Sequence, residues 1–98
     1  MPKSKRKYQI VRTFSAGVFA GFIENRKKDE VTMTMARRLW YWDGAASLSQ
    51  LAMEGVKNPN GCKFPLPVER ITLLGVIEIL DCTDQAQISI QGVPIWKR

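Results

Sequence analysis

The sequence predicts an α+β domain, mostly β: a small curled antiparallel sheet or barrel-like domain of about five or six strands with one or two short helices. Three observations lead there. Short segments alternate apolar and polar residues at period two, as half-buried strands do. Helix-start chemistry marks two short segments, at Ser47 and at Thr83-Asp84. The chain of 98 residues is long enough for one core and too short for two.

The elements follow in order. Tyr8 to Thr13 (YQIVRT) alternates, with Tyr8, Ile10 and Arg12 on one face and Val11 on the other. Ser15-Ala16-Gly17 signals a turn. Val18 to Ile23 (VFAGFI) is apolar on both faces, and Gly21 allows a bulge or a close backbone approach. Glu24 to Glu30 reads as a charged hairpin connection. Val31 to Met35 alternates strictly, which directs Val31, Met33 and Met35 inward.

Continuing that strand through Ala36 to Trp42 puts Arg38, Trp40 and Trp42 on one face and Arg37, Leu39 and Tyr41 on the other. Arg37 would then share a side with the inward methionines. Either the strand bulges near Ala36, or it presents a second surface to a ligand or partner. Asp43-Gly44 ends it.

Ser47 with Gln50 is a capping box for a short helix whose stripe is Leu48, Leu51 and Ala52 and whose stop is Gly55. Lys57 to Pro67 is an irregular loop holding three of the five prolines. Arg70 to Leu80 reads as a central strand kinked at Gly75, with a helix as the competing reading. Thr83 and Asp84 start one or two helical turns, and Gly92 to Lys97 is an edge strand because it contains Pro94.

Charge divides the chain into a basic flexible tail, residues 1–7, and a single globular domain, residues 8–98. The formal charge is +6, from 15 Lys and Arg against 9 Asp and Glu. Four of those bases, Lys3, Lys5, Arg6 and Lys7, lie in the tail, so the body carries only +2. The tail is either a solubilising extension or a phosphate-seeking arm for nucleic acid.

Composition removes most catalytic chemistry. The chain has no histidine, hence no Ser-His or Cys-His pair and no imidazole metal ligand. Its two cysteines, Cys62 and Cys82, are too few for a thiolate metal site; a cytoplasmic setting favours reduced, buried thiols, with one disulfide as the alternative. Lys63 beside Cys62 favours a somewhat lowered thiol pKa. Asp29-Glu30 reads as a solvated turn and Asp81 with Asp84 as helix capping. No apolar run reaches the ~20 residues of a membrane helix. No signal peptide, phosphate-binding glycine loop or cofactor motif is present, so we expect no enzyme, no metal and no cofactor.

The strongest constellation is Arg37, Arg38, Trp40, Tyr41 and Trp42. Guanidinium forks grip phosphate or carboxylate. Indole and phenol faces stack on bases. The same composition marks protein-interaction hot spots. The bland alternative is a strand whose aromatics fill the core. Trp96 is a weaker candidate for core cover or subunit contact, and edge strands favour a homo-oligomer.

Beyond these readings, Val11-Arg12-Thr13-Phe14-Ser15-Ala16-Gly17-Val18, then Ala36-Arg37-Arg38-Leu39-Trp40-Tyr41-Trp42-Asp43-Gly44-Ala45, then Leu51-Ala52 and Gly55-Val56 resemble a family of small, mostly uncharacterised proteins of bacteriophages and prophages. The resemblance covers about residues 8–97 and implies a protein acting in the host cell cytoplasm. By analogy of size and genome context, it suggests a host-takeover or anti-defence factor. Such a factor would bind an immune signalling nucleotide, sponge-like and without chemistry. A protein-binding inhibitor of a host defence complex, a nucleic-acid binder and a virion-associated protein are the other expectations.

Overall fold

A computed structural model of the chain describes residues 7–96. Among the described residues there are five strands: β1 (Tyr8–Thr13), β2 (Val18–Lys27), β3 (Glu30–Arg38), β4 (Val68–Leu73) and β5 (Val76–Asp81). Two helices, α1 (Leu48–Glu54) and α2 (Asp84–Gln91), and a single 3-10 turn at Pro59–Gly61 complete it. The protein is a small α+β domain built on one antiparallel sheet of order β4-β3-β2-β1-β5.

That order dictates the shape. β4 and β5 are consecutive and joined by only Leu74-Gly75, yet they occupy opposite edges. So short a link can reach only if the sheet curls until its edges approach. Gly75 makes the turn at φ +74°, and its carbonyl accepts from the Phe14 amide at 2.8 Å. The sheet stays open, because β4 and β5 do not pair.

Curling creates two cores. Inside the curl, Val11, Phe19, Val31, Met33, Ala36 and Leu73 pack together, drawn from β1 to β4, with Val76 and Ile79 of β5 against them. On the outer face, Ile10, Ala20 and Leu39 meet Leu51 and Ala52 of α1, Ile90 of α2, and Phe64 of the proline-rich loop. Alternation in β1 therefore holds: Tyr8 and Ile10 go to one core, Val11 to the other.

The helix signals hold as well, with one shift. Ser47 Oγ accepts from the Gln50 amide at 3.1 Å, but Gln50 Oε1 returns the bond to Ala46 N at 2.8 Å, one residue early. Gly55 stops α1 at φ +79°. Thr83 Oγ1 caps α2 through the Ala86 amide at 3.0 Å.

Four expectations change. The charged connection shrinks to Lys28-Asp29, because β2 runs to Lys27 and β3 starts at Glu30. Met35 is 52% exposed, not inward. Arg70 to Leu80 is neither a central strand nor a helix but an edge strand, a turn at Gly75, and the opposite edge. Gly92 to Trp96 forms no strand; Ile95 makes one isolated bridge to Phe64.

The Met35 change has a clear cause. Between the pairs Ala20–Arg37 and Phe22–Thr34, β3 carries one extra residue opposite Gly21. Met35 absorbs it at φ +48°. A Cβ on Gly21 would sit 2.9 Å from Ala36 Cα, so glycine is what lets the bulge close on β2. Of the two readings the alternation pattern left open, this is the bulge near Ala36.

Candidate functional site

The bulge separates the two arginines. Arg37 turns to the outer core and is 3% exposed. Its Nε donates to Pro65 O at 3.2 Å, Nη1 to Ile90 O at 3.0 Å and Nη2 to Phe64 O at 3.2 Å. The guanidinium also lies 5.5 Å from the Phe64 ring centroid. Burial pulls its pKa down from the usual arginine range. The C-terminal end of α2, with its negative dipole pole, supplies part of the compensation through Ile90 O. Arg37 is thus a clamp tying β3 to α2 and to the proline-rich loop. A small hollow of about 210 Å³ beside it is walled by Tyr8, Met35, Pro67 and Gln91. Burial raises the pKa of the Tyr8 phenol.

Arg38 faces the other way. Its Nη1 donates to Ala16 O at 2.8 Å, and its guanidinium carbon stands 4.5 Å from the centroid of buried Phe19. Those two contacts hold the side chain while leaving most of its donors open. Among the described residues, the ion pairs are Lys7–Asp81, Arg12–Glu78 and Arg70–Glu24, and none involves Arg38.

Arg38 lines a groove of about 410 Å³ with the 15–18 turn, Leu39, Trp40 and Trp42. Arg38, Trp40 and Trp42 thus line one groove without sharing one strand face: Arg38 lies over Phe19 of the inner core, Trp42 packs against the outer core, and β3 ends at Arg38 so that the aromatics continue as irregular chain. Leu39 N to Val18 O at 2.8 Å fixes that continuation. The opposite wall is a turn stapled by Thr13: Thr13 Oγ1 donates to Gly17 O and accepts from Ala16 N, both at 2.8 Å. Gly17, at φ +107°, makes the turn possible. The groove's size suits a small ligand, and no acid lines it.

A second hollow of about 390 Å³ lies at the β2–β3 turn against β5. There Arg26 and Lys28 stand with Asp29 and Glu78, so its charges are mixed.

The remaining predicted residues divide. Trp42 is half-buried against the outer core. Tyr41 is 53% exposed and bridges to Lys63 on the loop. Trp40 is 59% exposed, and its ring centroid lies 4.9 Å from that of Trp96. Lys63 Nζ stands over Trp40, Tyr41 and Trp96 at 5.4, 5.9 and 5.7 Å. The Lys63 contact carries no sequence signal, because 22 residues separate it from Tyr41. Of the basic tail, Lys7 is exposed and pairs with Asp81 at 3.3 Å, while Lys3, Lys5 and Arg6 fall outside the described residues.

Both cysteines are free. Burial pushes the Cys62 thiol up, against the lowering expected from Lys63, and pushes Cys82 up to about 11. Cys62 spends its sulfur on the backbone of Asp43, accepting from its amide at 3.3 Å. Asp81 is drawn below the usual carboxylate range by the Gln9 side-chain hydrogen bond, with Lys7 adding to it.

Among the described residues, no helix is long and apolar enough to cross a membrane. No curated protein and no solved structure matches the chain. A family model described as a domain of unknown function, DUF6948, matches residues 6–90. That match spans the whole sheet, α1, all but the last residue of α2 and every groove residue, and the chain belongs to the DUF6948 family.

Proposed function

We propose that this protein is a non-enzymatic binding protein for a phosphate-bearing ligand such as a nucleotide, held in the groove of Arg38, Trp40 and Trp42. The observation that carries the reading is Arg38 itself. It is anchored by Ala16 O and the Phe19 ring, without an acidic partner among the described residues, in an acid-free groove that two indoles help to line. An oriented arginine with open donors suits a phosphate, and the indoles offer faces to a base.

The resemblance to phage and prophage proteins extends the proposal. The ligand is then an immune signalling nucleotide of the host, and the protein a cytoplasmic anti-defence factor that sequesters it. β4 and β5 each have a sheet neighbour on one side only, which suits strand-to-strand assembly into a homo-oligomer.

Calorimetry against mononucleotides, cyclic nucleotides and ADP-ribose-like compounds tests the reading. Saturable binding that Arg38→Ala abolishes supports it; absence of heat with every member of the panel refutes it. A protein-binding inhibitor is the second reading, favoured by the exposure of Trp40 and Tyr41. Recovery of one stoichiometric host protein, lost on Trp40→Ala, would establish that reading instead.

A further inference from the structure

The Arg38 groove ends at an indole that belongs to a second feature. Trp40 lines the groove on one side and packs on Trp96 at 4.9 Å on the other. Trp96 in turn walls a separate hollow of about 170 Å³ with Pro59, Asn60 and Pro94. The two indoles thus form a ridge with a recess on each flank. The ridge is anchored to the fold: Trp96 N donates to Phe64 O at 3.0 Å, and Phe64 is fully buried.

Lys63 stands over the ridge, within 5.4–5.9 Å of three ring centroids. Its ammonium makes no ion pair among the described residues. Neither recess has an acidic residue in its wall. Moving across the surface, the order is a cation (Arg38), an indole (Trp40), a cation above (Lys63), a second indole (Trp96), then an open recess. Alternating cations and aromatic faces match the alternating phosphates and bases of an unpaired nucleic-acid strand. A mononucleotide would use only the first half of this surface.

Resting on the nucleotide reading of the Arg38 groove, we propose that the ligand is a single-stranded oligonucleotide. One base occupies the groove against Trp40. The backbone crosses the ridge beneath Lys63, and a further base stacks against Trp96 in the second recess. Lys63 and Trp96 form the added subsite, which the mononucleotide does not reach. A duplex keeps its bases stacked inside except at its two ends, so it offers the two indoles no successive free base faces.

The test is a calorimetric titration of the full chain with thymidine 5′-monophosphate, the tetranucleotide (dT)4 and a short DNA duplex, at one fixed salt concentration. The expected result is that (dT)4 binds at least about tenfold more tightly than the monophosphate, the gain of roughly one added base stack. Lys63→Gln and Trp96→Ala each remove most of that gain and leave monophosphate binding within about twofold. Lys63 is exposed, so its variant keeps the test valid even where Trp96→Ala lowers stability.

Monophosphate binding that depends on Arg38 but shows no gain with (dT)4 overturns this inference and leaves the groove reading standing. A gain that survives Lys63→Gln, or is matched by the duplex, also overturns it. Failure of both the monophosphate and (dT)4 to bind overturns the groove reading itself.

Discussion

The Arg38 guanidinium covers the buried ring of Phe19, 4.5 Å from its centroid, and so closes one end of the core inside the curled sheet. One side chain thereby serves two purposes. The ring and the Ala16 carbonyl fix where the charge sits, and no acid among the described residues pairs with it.

That relationship predicts a separation of binding from stability. Arg38→Ala should weaken nucleotide binding by at least tenfold, about 1.4 kcal/mol. It should lower stability by only about 1 kcal/mol, the scale of one exposed cation–π contact. Calorimetry and urea denaturation on the same preparation measure the two effects. A large stability loss with unchanged affinity would assign Arg38 to the fold alone.

Arg37 should behave in the opposite way. Its replacement by Ala leaves the Pro65 carbonyl without its donor, takes the second donor from the carbonyls of Phe64 and Ile90, which keep Trp96 N and Val93 N, and removes the tie between α2 and β3. The expected loss is about 3 kcal/mol, since hydrogen bonds to a charged donor are the strong ones. Arg37→Lys should recover only part, because one ammonium cannot reproduce the planar fork. Urea midpoints of the two variants check this.

Gly21→Ala tests the bulge. The added methyl meets Ala36 Cα at 2.9 Å and the carbonyls of Thr34 and Met35 at 3.0 Å. The expected cost is about 1–3 kcal/mol from overpacking. Because the bulge is what sends Arg37 and Arg38 to opposite faces, nucleotide affinity should fall as well. A variant with wild-type stability and affinity would show that β2 and β3 can separate without consequence.

Alkaline pH should destabilise the fold. Burial raises the Cys82 pKa to about 11 and raises Tyr8 and Cys62 as well. The folded chain therefore holds protons that the unfolded chain has already released, so stability falls as pH rises. For Cys82 the loss begins near its ordinary value of 9 and is complete near about 11. Denaturant midpoints between pH 8 and pH 11 should decline, and Cys82→Ala should flatten part of that slope.

Much of the fold is legible along the chain because its signals are local. Alternation in Tyr8–Thr13 assigns Ile10 and Val11 to different cores, and Thr83 and Ser47 start the helices their hydroxyls cap. A bulge near Ala36 was one of two readings the sequence offered, the other being a second ligand- or partner-facing surface, because unbroken alternation put Arg37 on the side of Met33. Arg70 to Leu80 misled for a definite reason. Half-buried strands on both edges of a curled sheet carry as many apolar residues as one central strand, and only the turn at Gly75 divides them.

By itself, then, the sequence determined an antiparallel α+β domain without histidine chemistry, its helix starts, and the five residues worth watching at positions 37 to 42. Only the tertiary structure decided how those five divide: Arg37 into a clamp, Arg38 with Trp40 and Trp42 into a groove, Tyr41 to the loop. It alone brought Lys63 and Trp96 onto Trp40. The reason is the range of the forces involved. Capping and alternation act over a few residues. A bulge that re-aims an arginine, or a ridge built from three distant segments, exists only once the sheet has curled and its loops have packed against it.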